Sequence, residues 1–222
     1  IYHRVQIELT YNSNHIEGSR LTQEQTRHIF ETNTLGVTDQ AVNVDDVIET
    51  SNHFRCIDLV IDKAASGRLT ETFVKELHRI LKAGTSDSRR TWFRVGEYKK
   101  LPNEVGGQET TPPEQVAAQM KALLSHYNAL TNKTLEDIVA FHHAFECIHP
   151  FQDGNGRIGR MVLFKECLRN GVLPFIVSDD RKHFYYRGLA NYEDEPGWLL
   201  DTCRAFQDDF AARFLPLVPH LV

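Results

Sequence analysis

Apolar residues recur at three- and four-residue intervals along most of this chain, the spacing of helices that bury one face. Thr22 followed by Gln25 is a capping box and predicts a helix through about Asn33. A longer helix is expected from roughly Asp39 to Ser66, stopping at Gly67. Its apolar positions are Val44, Val47, Ile48, Phe54, Ile57, Leu59 and Ile61. Thr70 caps the next, whose Phe73, Val74, Leu77, Ile80 and Leu81 form one stripe closed by Gly84. Pro112-Pro113-Glu114 starts another, ending near Asn128. Thr134 with Asp137 is a second capping box. It precedes a face of Leu135, Ile138, Val139, His142 and Phe145 that ends at His149-Pro150, because a proline disfavours helical geometry in the residue before it. Helical spacing resumes from Ile158 to Asn170 and stops at Gly171, and two more helices are expected around Arg181–Asn191 and Pro196–Leu215.

The periodicity fails between residues 85 and 112, where Ser, Gly, Asn, Pro and Thr are dense. Trp92-Phe93-Arg94-Val95 and the stretch at Glu104-Val105 read as short extended pieces around a turn at Pro102-Asn103. No repeat, low-complexity tract or linker interrupts the pattern. The expectation is therefore one all-α domain over 1–222 with a short β-hairpin.

Composition narrows the partners. The 222 residues are 41% hydrophobic and 25% charged, ordinary for a soluble globular chain. A net charge of −5 argues against a general nucleic-acid binder. No apolar run reaches the roughly 18 residues of a membrane span. Ile1-Tyr2-His3-Arg4 lacks a starting Met and a signal-peptide core, as a trimmed chain would. Four scattered cysteines, Cys56, Cys147, Cys167 and Cys203, read as reduced thiols of a cytoplasmic protein.

The chemistry concentrates in His149-Pro150-Phe151-Gln152-Asp153-Gly154-Asn155-Gly156-Arg157-Ile158-Gly159-Arg160, which lies between two predicted helices. Unpaired N–H groups at a helix start, with the helix dipole, form an anion site. Glycines let that backbone approach a ligand closely. Arg157 and Arg160, three apart, can share one side of the first turn, and guanidinium forks suit phosphate oxygens. Asp153 offers the hard oxygen that Mg²⁺ prefers. The imidazole of His149, with a reference pKa of ~6.5, suits a general base. A plain interhelical turn would account for Gly154 and Arg160, but not for His149, Asp153, Asn155 and Arg157 together. The spacing Gly154-x-Gly156-x-x-Gly159 also spells a dinucleotide fingerprint, but that needs a preceding strand and here a helix precedes it. A zinc site from His142, His143, Glu146 and His149 is set aside because the spacing is not HExxH and His142 faces the core.

The run matches HPFx[D/E]GNGRxxR, the motif of the Fic family, at every fixed position, and the helical layout resembles that family over most of the chain. The resemblance implies a protein adenylyltransferase. His149 would deprotonate a hydroxyl of a target protein, which would attack the α-phosphate of ATP, attaching AMP and releasing pyrophosphate. Asp153 would hold Mg²⁺ (or Mn²⁺), with Gly154, Asn155, Gly156, Arg157 and Gly159 around the phosphates, Arg160 on the γ-phosphate and Phe151 anchoring the loop. Residues 134–171 would be the catalytic helix-loop-helix. Residues 92–108, with Gly96–Gln108 most similar, would be the family's flap. It would pair with an extended target segment by strand addition and place Val105, Gly106, Gly107 and Gln108 near the nucleotide. Lys99 stands where an Arg is common. Tyr185-Tyr186 resembles an aromatic pair near the adenosine. A homodimer is also implied, and neither nucleic acid nor membrane.

Upstream, Ser13-Asn14-His15-Ile16-Glu17-Gly18 matches the family's inhibitory pattern [S/T]xxxE[G/N] within a segment spanning residues 1–20. Ser13 and Glu17 lie one helical turn apart, and Gly18 is a natural stop. A carboxylate at a helix C-terminus is unfavourable against the dipole, so Glu17 gains from an outside cation. Arg160 is the expected one, and the pair would occupy the place of the γ-phosphate. The alternatives are removal of AMP by the same site, transfer of a phosphate, phosphocholine or UMP, or an idle regulator clamped by Glu17.

Overall fold

A computed structural model of the chain describes residues 1–36, 41–65 and 67–218. Among these, nine α-helices and one two-stranded antiparallel sheet are formed. They are α1 (Tyr2–Ile16), α2 (Gln23–Thr32), α3 (Val44–Ala64), α4 (Glu71–Leu81), β1 (Glu104–Val105), β2 (Gln108–Glu109), α5 (Pro113–Ala129), α6 (Leu135–Ile148), α7 (Asn155–Arg169), α8 (Lys182–Ala190) and α9 (Pro196–Phe214). None is long and apolar enough to cross a membrane.

Four helix starts carry a side-chain cap. Thr22, Asn43, Thr70 and Thr134 each accept a hydrogen bond from a first-turn N–H, and Thr22 and Thr134 complete capping boxes. The predicted 39–66 helix begins later, at Val44, because the Asn43 side chain accepts from the Asp45 N–H; Asp39 and Ser66 lie outside the described residues. The predicted 158–170 helix begins three residues earlier, at Asn155, so Gly154 is its N-cap and Gly156 lies in its first turn.

Helix α7 is the axis of the fold. It is buried on nearly every side and packs against α6, α3, α1 and α4. Val139, Phe145, Ile158, Met161 and Cys167 are fully enclosed in one core that also takes in Val60, Leu77, Val116 and Phe206. Polar residues Arg157, Arg160, Lys165 and Glu166 on this helix are also buried, so each requires a partner from elsewhere.

The hairpin corrects the predicted register. Its strands are Glu104–Val105 and Gln108–Glu109, joined at Gly106-Gly107, whereas Trp92–Val95 forms turns and Pro102-Asn103 precedes the sheet. The two glycines hold φ of +60° and +80°, and a two-residue hairpin turn with positive φ at both centres matches the twist of its strands. The glycine pair was the stronger turn signal.

Candidate functional site

The loop from α6 to α7 is pinned at each of its ends. His149 closes α6 in a left-handed conformation, φ +50°, with its N–H donating to the Phe145 carbonyl at 2.9 Å. Phe151 is fully buried, as the sequence suggested, and stacks flat on the His78 ring at 4.1 Å between centroids. Burial holds His78 neutral, with its pKa lowered to about 3. Its Nδ1 accepts from the Gly96 N–H at 2.8 Å, so Nε2 carries the proton and donates to the Asp153 carbonyl at 3.2 Å. The Asn155 amide spans the loop, accepting from the Phe151 N–H at 2.7 Å and donating to the Phe151 carbonyl at 2.8 Å. Its side chain therefore shapes the loop instead of facing a ligand.

Helix α7 has Gly154 at its N-cap, φ +84°, and no side chain caps it. Its first-turn N–H groups thus lack the caps found on α2, α3, α4 and α6, which leaves the anion site of a helix start available. Beside it, Asp153 Oδ2 accepts from Lys82 Nζ at 2.6 Å and from Arg157 Nη2 at 3.2 Å. Glu49 pairs with both Lys82 and Arg157. Burial opposes ionisation of Asp153, but Arg157 and Lys82 outweigh it and hold the carboxyl well below the usual range. Arg157, expected in the anion cradle, is committed to Glu49 and Asp153. The two motif arginines therefore have separate partners instead of a shared side.

Arg160 faces α1. Its Nε donates to Ser13 Oγ at 3.0 Å, and its Nη2 donates to the Ser13 carbonyl at 2.9 Å and to Glu17 Oε1 at 2.6 Å. The guanidinium is 3% exposed, and although burial opposes its charge, Glu17 raises its pKa further. Gly156 explains itself here: a Cβ would overlap Glu17 Oε1 and lie 2.9 Å from Arg160 Nη1. Gly159, expected near the nucleotide, is turned toward α6, where a Cβ would overlap Glu146 Oε1 and lie 3.0 Å from His142 Cε1.

The two tyrosines point to different neighbours. Tyr185 is buried, with its hydroxyl 2.7 Å from His142 Nε2. Tyr186 is half-exposed and donates to the Ile16 carbonyl at 3.2 Å, so it touches the end of α1. Val105, Gly106, Gly107 and Gln108 are exposed in the hairpin. Lys99 ties the base of that hairpin to the loop. Its Nζ donates to Asn103 Oδ1 at 2.7 Å and Thr110 Oγ1 at 2.6 Å, and its N–H donates to the Pro150 carbonyl at 2.9 Å.

His149 itself is largely buried. Desolvation first, then the Lys99 charge, lowers its pKa to about 4, which leaves it unprotonated at neutral pH. Sequence reasoning missed Glu49 on α3, His78 on α4 and Lys82 at the C-terminal cap of α4. No local motif marks them, since Lys82 reads as an ordinary cation at a helix end and Glu49 as a polar position on a helix face.

Comparison with known proteins places the arrangement. The sequence model of the Fic/DOC family matches residues 68–166. A crystal structure of a Fic-domain-containing signalling protein from Bacteroides thetaiotaomicron is 30% identical, covers 93% of this chain and 79% of its own, and superposes with a TM-score of 0.75. A C. elegans Fic-1 structure is 22% identical with a TM-score of 0.77, covers 95% of this chain and 62% of its own, and supports the fold. Protein adenylyltransferases from Nematostella vectensis and C. elegans are 28% and 27% identical over 83% of this chain. The chain spans 43% and 36% of their respective lengths. The chain belongs to the Fic family.

Proposed function

We propose that this Fic-family chain is a protein adenylyltransferase restrained by its own first helix, moving AMP from ATP to a hydroxyl of a target protein or of itself. The observation that carries the reading is Arg160. A buried guanidinium beside an uncapped helix start is suited to a phosphate, and here it is bound by Ser13 and Glu17.

In the reaction, the target oxygen attacks the α-phosphorus in line. The bond from that phosphorus to the β-bridging oxygen breaks, pyrophosphate leaves, and the hydroxyl proton passes to His149. The low pKa of His149 keeps it ready to accept a proton at neutral pH. The free N–H groups of the first turn of α7 stabilise phosphate charge. Asp153 is ionised and half-exposed, a donor that fits Mg²⁺, or Mn²⁺ in its place, and such an ion would neutralise phosphate charge when bound. Glu17 occupies the guanidinium that a γ-phosphate would use, so ATP is held away from the in-line pose while α1 stays docked. The exposed strands of the hairpin give an extended target segment a place to pair, and a second copy of the chain is one available target.

The test is intact-mass spectrometry with ATP and Mg²⁺. Glu17→Gly is expected to gain AMP on itself or on added protein while the parent gains little. In the same background His149→Ala is expected to transfer none and still bind ATP. A Glu17→Gly protein as silent as the parent overturns the restraint, and transfer by the His149→Ala variant removes His149 as base.

A further inference from the structure

Beneath His149, on the side away from the solvent, lies a carboxyl that the mechanism above does not use. Glu146 is one turn back on α6, and its Oε2 is 4.0 Å from His149 Nδ1. On the ring side of this gap His149 Nδ1 is enclosed and makes no hydrogen bond, and the other oxygen of the carboxyl, Glu146 Oε1, is enclosed without a partner on the Gly159 side. Buried polar atoms are almost always satisfied, so an unpartnered Nδ1 beside this carboxyl asks for an explanation. Gly159 is part of it, because any side chain there would overlap Glu146 Oε1. The motif's third glycine thus keeps open the space in which this carboxyl lies.

We infer that Glu146 is a positioning residue for His149, its carboxyl accepting the Nδ1–H and so selecting the tautomer whose Nε2 is free to receive a proton. This rests on the reading of His149 as the base. The enclosed Nδ1 cannot meet a substrate, which leaves Nε2 as the atom that can. A neutral imidazole carries one proton, and an acceptor at Nδ1 decides which nitrogen keeps it. The 4.0 Å gap is longer than a hydrogen bond, and catalytic hydrogen bonds commonly shorten only when substrate is bound. Burial pushes the Glu146 pKa up to about 8, against the opposing pull of Arg160, so the group is mostly a neutral carboxylic acid at pH 7. A neutral carboxyl still offers its carbonyl oxygen as acceptor without placing a bare charge in the core. The Glu146 main-chain carbonyl lies on the same side of the ring and is the competing acceptor.

Two measurements on the full chain decide it. Nitrogen-15 NMR of the His149 ring is expected to show Nδ1 protonated in the parent and in Glu146→Gln, whose amide oxygen can still accept, and a mixture of tautomers in Glu146→Leu. In the Glu17→Gly background, Glu146→Leu is expected to lower kcat on the order of 10- to 100-fold, the size expected of an orienting partner. KM for ATP should stay within about twofold, because only an interaction felt in the chemical step is lost. Glu146→Gln should restore most of kcat. An unchanged tautomer in Glu146→Leu, or an unchanged kcat, overturns the inference and assigns the ring to the main-chain carbonyl. Should Glu17→Gly itself transfer no AMP, the functional reading fails while the NMR result still decides the role of Glu146.

Discussion

The loop at 149–155 and the hairpin at 104–109 are joined through Asn103, which donates to the Phe151 carbonyl, and are held in opposite ways. In the loop, a fully buried aromatic ring, a bridging amide and a stacked imidazole leave little freedom. In the hairpin, both strands are two residues long and exposed, the turn is two glycines, and Glu104 pairs directly across from Glu109. Like charges directly opposite each other in a sheet repel. The hairpin is joined to the rest chiefly through its base, where Lys99 holds Asn103 and Thr110 and reaches the carbonyl of Pro150. Under the proposed function the contrast would suit both: chemistry demands a fixed geometry, whereas a surface meant to accept different peptides would benefit from being loosely held.

The largest break in the contrast comes from Phe151→Ala, which removes a fully buried ring and is expected to cost about 3–5 kcal/mol, measured by urea unfolding. An effect below about 1 kcal/mol would mean that the loop is not anchored by this ring. Asn155→Ala leaves the buried N–H and carbonyl of Phe151 without their partners. A loss of about 2–3 kcal/mol is expected, with the fold retained in circular dichroism.

Proton linkage sharpens the comparison further. Glu146 has a folded pKa of about 8, against ~4.3 when unfolded, so between these values the folded state binds more protons. Its stabilising contribution is complete below about pH 4.3 and is lost as pH rises through 8. Glu146→Gln, which does not titrate, should therefore gain on the parent as pH rises across that window, by up to about 1.4 kcal/mol for each pH unit. Parallel stability curves for the two proteins from pH 4.5 to 8 would contradict the raised pKa.

The smallest effect belongs to the hairpin. Glu109→Lys turns the like-charged pair into an opposite one. It should slow amide exchange in residues 104–109 by an amount corresponding to about 0.2–1 kcal/mol, with global stability unchanged. A global change would show that the hairpin is coupled to the core more tightly than its exposure implies.

Much of this was legible in the chain because it is local. Thr22 with Gln25 and Thr134 with Asp137 place a cap and its partner within four residues, and both boxes formed. The motif from His149 to Arg160 is contiguous, so its glycines, its proline and its place between two helices could be read together. The hairpin register differs from the expected one because Pro102-Asn103 is a general turn signal, whereas the formed ladder turns at Gly106-Gly107, the pair suited to positive φ at both centres.

By itself the sequence determined the helices, their caps, the family motif and the residue types available for the chemistry. It also pointed to Glu17 as a partner for Arg160, because that pairing has a pattern of its own. Tertiary structure decided which buried charge meets which. Arg160 meets Ser13 across 147 positions, Arg157 meets Glu49 across 108, and Lys82 reaches Asp153 across 71. It also turned Gly159 toward Glu146 and Tyr185 toward His142. The physical reason is burial. A charged group in a packed core must be paired, yet its partner is set by which helix faces pack together, and no spacing along the chain records that.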